Sequence, residues 1–126
     1  DLAYGDTHPD TRMSLRIPPP TIGLGLLETI PEEALLANAA SDDRNGEGIS
    51  RRQNRVREQT KRQTVLGRFG RQPGPPTPNQ QNADAFFNDM GLSTSLLSGS
   101  SCTDRQTECR AMPDGGEPEV SDDILA

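Results

Sequence analysis

Large apolar side chains are scarce in this sequence, and that shortage limits what the chain can fold into alone. The 126 residues include no Trp, one Tyr and three Phe, and only 30% of them are apolar. Burial of such side chains is the main term that offsets the conformational entropy lost on folding. We therefore expect a chain that is largely disordered alone or that packs against parts outside these 126 residues.

Two segments carry the weaker helix signals. Residues 31–39 are good helix formers on balance, and they follow the capping-box pattern Thr29-Ile30-Pro31-Glu32. Near the other end, Ser121 is a suitable N-cap, and the two acids after it suit the positive end of a helix dipole. These patterns predict one helix over 31–39 and the start of another after Ser121.

The strongest helix signal begins at Thr77. Thr77-Pro78-Asn79-Gln80 fits a capping box with proline at the first helical position, and Gly91 is a typical C-terminal stop. The apolar residues between these limits recur at helical spacing on one face. They are Ala83, Phe86, Phe87 and Met90.

The rest of the chain has little regular pattern. We find no internal repeat and no convincing strand, and eleven Pro and twelve Gly favour turns. Residues 71–78 form a Pro-rich linker. We therefore predict a mainly α-helical chain with extensive irregular loops. Residues 1–126 are expected to be an interior segment of a larger protein and not an independent domain.

Cys102 and Cys109 are the only cysteines, so they leave three possibilities: a disulfide, two inert thiols or a redox-active pair. On a continuous helix their Cα atoms would lie roughly 10 Å apart, and a disulfide needs less than about 7 Å. A bridge therefore requires a bend. Pro113, Gly115 and Gly116 just downstream favour a bent loop.

Residues 43–50 resemble the first half of a calcium-binding loop. Oxygen-bearing side chains alternate along it, Gly48 follows at the turn position, and a backbone carbonyl comes next. The candidate metal ligands are Asp43, Asn45, Glu47 and the carbonyl of Ile49. Asn54 stands where such loops need a bidentate Glu. The alternative is a solvated acidic turn.

Charge is distributed unevenly along the chain. Residues 51–71 hold eight basic side chains and one acidic one, within a chain of net charge −6. Nucleic-acid binding is disfavoured because Phe69 is the only aromatic in this run and provides no stacking array. No apolar run reaches the length of a membrane span. His8 is expected to be a loop residue. The sequence shows no nucleophile–base pair, so we assign no catalytic residue.

Four blocks resemble the bacterial di-haem oxidoreductase family, in that family's order. Residues 15–33 resemble its R-x-x-P-x-x-I-G-L-G-L-L-E-x-I-P stretch. Residues 43–50 resemble its D-G-D-G-I-S loop, and residues 66–70 match its L-G-R-F-G block. Residues 80–126 resemble its Q-x-A-D-A-F-x-x-D-M-G-L-S-T helix, its cysteine pair and its D-G-G-x-P-E-V-S-D run.

The resemblance implies a secreted or periplasmic bacterial protein with helical, cytochrome-c-like lobes and covalently attached haem c. Its chemistry would be electron transfer with peroxidase activity. Cys-x-x-Cys-His attachment sites would flank this segment, so the partners of these residues would be the remaining haem lobes, and no residue here would bind haem covalently. An oxidising compartment also favours the disulfide between Cys102 and Cys109.

The chain departs from the family pattern after Gly70. The family usually continues with Trp-Lys-Ala, where this chain has Arg71-Gln72-Pro73 and further prolines. Residues 71–78 are therefore a divergent linker. Two alternative hypotheses stand beside the family resemblance. In the first, the chain is a disordered acidic interaction segment. In the second, it is a structural module stabilised by calcium.

Overall fold

The computed structural model describes residues 6–15, 17–18, 20, 22–39, 46, 48, 52–70, 72 and 74–126. Within those residues the elements are short and separated by irregular chain. In chain order they are α1 (Leu24–Glu28), α2 (Glu32–Ala37), β1 (Arg55–Arg57), β2 (Thr64–Leu66), α3 (Pro78–Asp89), α4 (Thr107–Arg110) and α5 (Asp122–Leu125).

The described chain divides into two compact units. The hairpin unit comprises the described residues between Pro18 and Ala83, together with Ala126. The C-terminal unit comprises the described residues up to Pro18, together with Ala83–Leu125. It follows that α3 contributes its first turn to one unit and the remainder to the other.

The helix predicted over 31–39 is confirmed as α2, but its predicted cap is wrong. The N-cap is Pro31, and no side chain caps this end. Thr29 is instead the C-cap of α1, and its hydroxyl donates to the carbonyl of Leu26 at 2.7 Å. Because few residues separate the two helices, the Thr29 hydroxyl pairs with a carbonyl at the end of α1 and does not cap the start of α2.

The strands form an antiparallel hairpin, so the expectation of no strand was wrong. Val56 pairs with Val65 at the centre, and Arg55 and Arg57 pair with Leu66 and Thr64. Each strand has three residues. An alternating pattern needs four or more residues to be recognised, and this one lies among basic side chains.

The predicted helix after Thr77 is confirmed as α3. The Thr77 hydroxyl oxygen accepts the Gln80 backbone N–H at 3.2 Å, as an N-cap should. At the other end Gly91 has φ +73°, and the Leu92 N–H donates to the Phe86 carbonyl at 2.8 Å. This bond spans six positions and closes the end of α3, and the turn at Gly91 requires a residue that tolerates positive φ.

Each unit has a small apolar core. In the hairpin unit, Leu66 and Phe69 are buried. In the C-terminal unit the buried apolar residues are Ala83, Val120 and Leu125. Leu125 lies in α5, which begins after Ser121 as predicted. Met90, predicted for the apolar face of α3, is 63% exposed because it lies beyond the last helical residue.

Candidate functional site

The hairpin unit has an apolar groove of about 260 Å³, here named the arginine groove. It lies among α1, α2 and the chain that follows β2. Its apolar lining consists of Leu27, Ile30, Leu35, Ala39, Leu66 and Phe69. Two cationic side chains, Arg52 and Arg68, also line it. The groove therefore combines an apolar interior with positive charge.

Arg68 connects the hairpin to the end of α1. One terminal nitrogen, Nη1, donates to the carbonyl of Glu28 at 3.0 Å and to that of Ile30 at 2.9 Å. Carbonyls at a helix C-terminus lack intrahelical donors, and a cation there also interacts favourably with the helix dipole. Arg68 therefore fixes the wall of the arginine groove that α1 provides.

The backbone of Arg68 and Phe69 is held by the Pro-rich chain. The backbone N–H groups of Arg68 and Phe69 both donate to the carbonyl of Pro75, at 3.2 and 3.0 Å. The Gly74 N–H donates in return to the Phe69 carbonyl at 2.9 Å. Pro76 is buried. The described part of the predicted linker 71–78 thus packs on the 66–70 block, and its last residue begins α3.

Gln80 joins the hairpin to the first turn of α3. Its Oε1 accepts the Gln59 N–H at 2.9 Å, and its Nε2 donates to the Arg57 carbonyl at 3.2 Å. The capping box predicted at Thr77 is therefore formed only in one direction, because the Gln80 side chain binds the hairpin. This buried amide positions the strands that carry the groove.

A carboxylate organises the C-terminal unit. Glu119 accepts the backbone N–H of Ser93 at 2.9 Å, the Ser93 hydroxyl at 3.2 Å and the Gly115 N–H at 3.0 Å. These bonds, led by those from the backbone of Ser93 and of Gly115, lower the pKa of Glu119 below its ordinary value. Ser93 is buried, so these hydrogen bonds join the loop after α3 to the loop before α5 at the core of the unit.

Asp84, in α3, has the opposite perturbation. Burial raises the pKa of its carboxyl group above the ordinary value. No sequence pattern predicts this raised pKa. Asp84 is half-buried, and the last turn of α3 carries no basic residue. Its carboxyl group is therefore protonated more readily than one that faces water.

The two cysteines are joined to each other. A disulfide links Cys102 and Cys109, whose Cα atoms are 6.1 Å apart. The loop between them bends because α4 begins only at Thr107. Within the loop, the Gln106 Oε1 accepts the Thr103 N–H at 2.8 Å, which stabilises the bend.

The predicted calcium ligands lie outside the described residues. These ligands are Asp43, Asn45, Glu47 and Ile49. Among the residues that are described, no group of three His, Cys, Asp or Glu side chains could hold a metal ion.

The remaining predicted features lie on the surface. His8 is exposed, and its Nδ1 accepts the Asp10 N–H at 3.2 Å. The described cations of the basic run are exposed except for the half-buried Arg68. Within the described ranges, every helix is too short or too polar to traverse a membrane.

The comparison with known families assigns the chain. Residues 5–108 match the family model described as di-haem oxidoreductase, putative peroxidase. The chain belongs to the di-haem oxidoreductase family. No curated protein and no solved structure gives a significant match.

The cysteines of this di-haem oxidoreductase do not fit covalent haem attachment. Haem c attachment uses a Cys-x-x-Cys-His motif, and the sequence has none. Both cysteines instead form a disulfide with each other. The arginine groove, by contrast, has apolar walls and cations, which suit contact with a haem held elsewhere.

Sequence reasoning missed Arg68 as a site residue. The residue lies in the L-G-R-F-G block that carries the family resemblance, which was the available signal. Its role depends on contacts with residues 38 and 40 positions earlier, and no local pattern predicts such a pairing.

Proposed function

We propose that this chain is the connecting segment of a haem c-dependent electron-transfer oxidoreductase with peroxidase activity. The haem groups would be attached by Cys-x-x-Cys-His motifs outside residues 1–126, in cytochrome-c-like lobes against which this segment packs. The protein would act in the bacterial periplasm or outside the cell. The segment alone would be inactive.

The observation that carries the proposal is the family match over residues 5–108 in a chain without an attachment motif. Exposed apolar side chains support the packing against further lobes. Met13, Leu15, Ile22 and Leu26 are each at least 78% exposed. A single exposed apolar residue is ordinary, but each unit exposes two of them, Met13 and Leu15 in the C-terminal unit and Ile22 and Leu26 in the hairpin unit, which favours contact with further chain.

The disulfide supports the proposed location. Disulfides persist in secreted and periplasmic proteins and are rare in the reducing cytosol. The bond between Cys102 and Cys109 therefore agrees with an oxidising compartment.

The activity can be tested on the full-length protein. Haem iron would supply one-electron redox chemistry, and peroxide reduction consumes two electrons and two protons to give two waters. Stopped-flow mixing of the reduced protein with hydrogen peroxide should therefore oxidise two ferrous haems per peroxide. A reduced protein that peroxide does not oxidise, or that holds no haem, would refute the proposal. The chain of residues 1–126 is the matched control and should show no covalently attached haem after denaturation, because it has no Cys-x-x-Cys-His motif.

A further inference from the structure

The arginine groove has a chemistry more specific than that of a general docking surface. Its interior is apolar, whereas Arg52 and Arg68 add two permanent positive charges. Arg68 uses only Nη1 for its two carbonyl bonds. Its other guanidinium nitrogens have no partner among the described residues. Arg52 is exposed.

The size of the arginine groove limits its occupant. Pockets that hold a whole small ligand measure roughly 300–1,000 Å³, and this groove measures about 260 Å³. Leu27, one of its apolar walls, is 51% exposed, so the groove is open at that side. It therefore suits one edge of a larger flat ligand.

The groove residues cannot bind iron. Its lining contains no His, Cys or Met, which are the usual protein ligands of haem iron. An occupant would be contacted at its periphery and held elsewhere.

We propose that the arginine groove receives the propionate-bearing edge of a haem carried by another part of the protein. The apolar rim of the macrocycle lies against Leu27 and Leu35, and the two propionates pair with Arg52 and Arg68. This inference rests on the proposed function and deepens it, because it names the residues of this segment that contact the cofactor.

Charge complementarity favours this occupant over an apolar helix. A helix that filled the groove with leucines would cover the Arg52 guanidinium group, and the N–H groups of Arg68 beyond Nη1, without pairing them, and a buried unpaired charge is costly. Carboxylates pair with guanidinium groups through strong, directional hydrogen bonds. A haem edge has both the apolar surface and the carboxylates.

Porphyrin binding to the 126-residue chain tests the proposal, with a cooperative urea transition in far-UV circular dichroism required first for each variant as the sign that the hairpin unit is folded. The probe is iron-free protoporphyrin IX, followed by its own fluorescence, so iron ligation cannot contribute. We expect saturable binding with one porphyrin per chain. Arg52→Glu should weaken it by about tenfold or more, equivalent to about 1.4 kcal/mol. Protoporphyrin IX dimethyl ester, which lacks free carboxylates, should bind more weakly and should not respond to Arg52→Glu.

Two matched variants separate the groove from general attraction. Arg57→Glu removes another exposed cation, one that does not line the groove, and Leu26→Asp alters α1 outside the groove. Both should stay within about twofold of the original chain, whereas Leu27→Asp should weaken binding by about tenfold or more. Equal effects of Arg52→Glu and Arg57→Glu, or an absence of saturable binding, would overturn the proposal.

Failure here is distinguishable from failure of the proposed function. If the full-length protein holds haem and the groove variants leave porphyrin binding unchanged, only the groove assignment is wrong. If the full-length protein holds no haem, the proposed function is wrong, whatever the porphyrin result.

Discussion

Replacing Arg68 with Met tests whether one side chain holds α1 against the hairpin. Methionine keeps an unbranched apolar stem but loses both donors, so the carbonyls of Glu28 and Ile30 lose their guanidinium partner. The Ile30 bond is partly buried, and its loss should cost about 1.5 kcal/mol. The Glu28 bond is exposed, so water replaces it and its loss should cost about 0.5 kcal/mol.

The sum predicts that Arg68→Met lowers the free energy of unfolding by about 2 kcal/mol. Arg68→Lys keeps the charge but lacks the planar fork, so it should lose about half as much. Urea unfolding followed by far-UV circular dichroism measures both. With an m value of about 1 kcal/mol per molar urea, the midpoint for Arg68→Met should fall by about 2 M.

Arg57→Met is the matched control for this experiment. Its side chain is exposed, and its only described contact with Gln80 uses the backbone carbonyl, which the substitution leaves in place. It should change stability by less than about 0.5 kcal/mol. If Arg68→Met destabilises the chain no more than Arg57→Met does, Arg68 does not hold α1 and the groove wall has been misassigned.

Four further predictions concern a helix cap, a glycine, a carboxylate and the cysteines. Thr77→Ala should cost about 1 kcal/mol in urea unfolding because α3 loses its N-cap, whereas Thr77→Ser should be nearly neutral. Gly115→Ala should lower the melting temperature, because its Cβ would lie 2.9 Å from the Oε1 of Glu119, and that carboxylate can move away only by losing hydrogen bonds to Ser93 and to residue 115. Because hydrogen bonds lower the folded-state pKa of Glu119, its stabilisation is present above the ordinary pKa and is lost as pH falls through the lowered one. Urea midpoints over a pH series should show this loss, and Glu119→Gln should remove that part of the pH dependence. Intact-mass measurement with iodoacetamide should show no alkylation of Cys102 or Cys109 until a reductant is added.

Capping residues, stop residues and helix propensity were enough to predict the helices that depend on these local features. Residues 77–91 contain an N-cap, a proline at the first helical position and a glycine stop, and α3 follows them closely. The prediction over 31–39 was correct because those residues are good helix formers, although the predicted role of Thr29 was wrong. A threonine between two short helices can serve either, and only the fold decides which.

The features that position the candidate site are long-range. Arg68 contacts residues 38 and 40 positions away, and Ser93 meets Glu119 across 26 positions. The hairpin escaped prediction because its three-residue strands carry too few alternations. No propensity or period encodes such contacts. The family blocks did contain the residues concerned, though they did not indicate their roles.

The position of the haem groups tests the central claim most directly. The full-length protein, produced with periplasmic haem c maturation, can be digested and its haem-bearing peptides identified by mass spectrometry. The account predicts two haem-bearing peptides, each with a Cys-x-x-Cys-His motif and both outside residues 1–126, together with a disulfide-linked peptide pair containing Cys102 and Cys109. A haem attached within residues 1–126, or a full-length protein with no haem-bearing peptide, would contradict it.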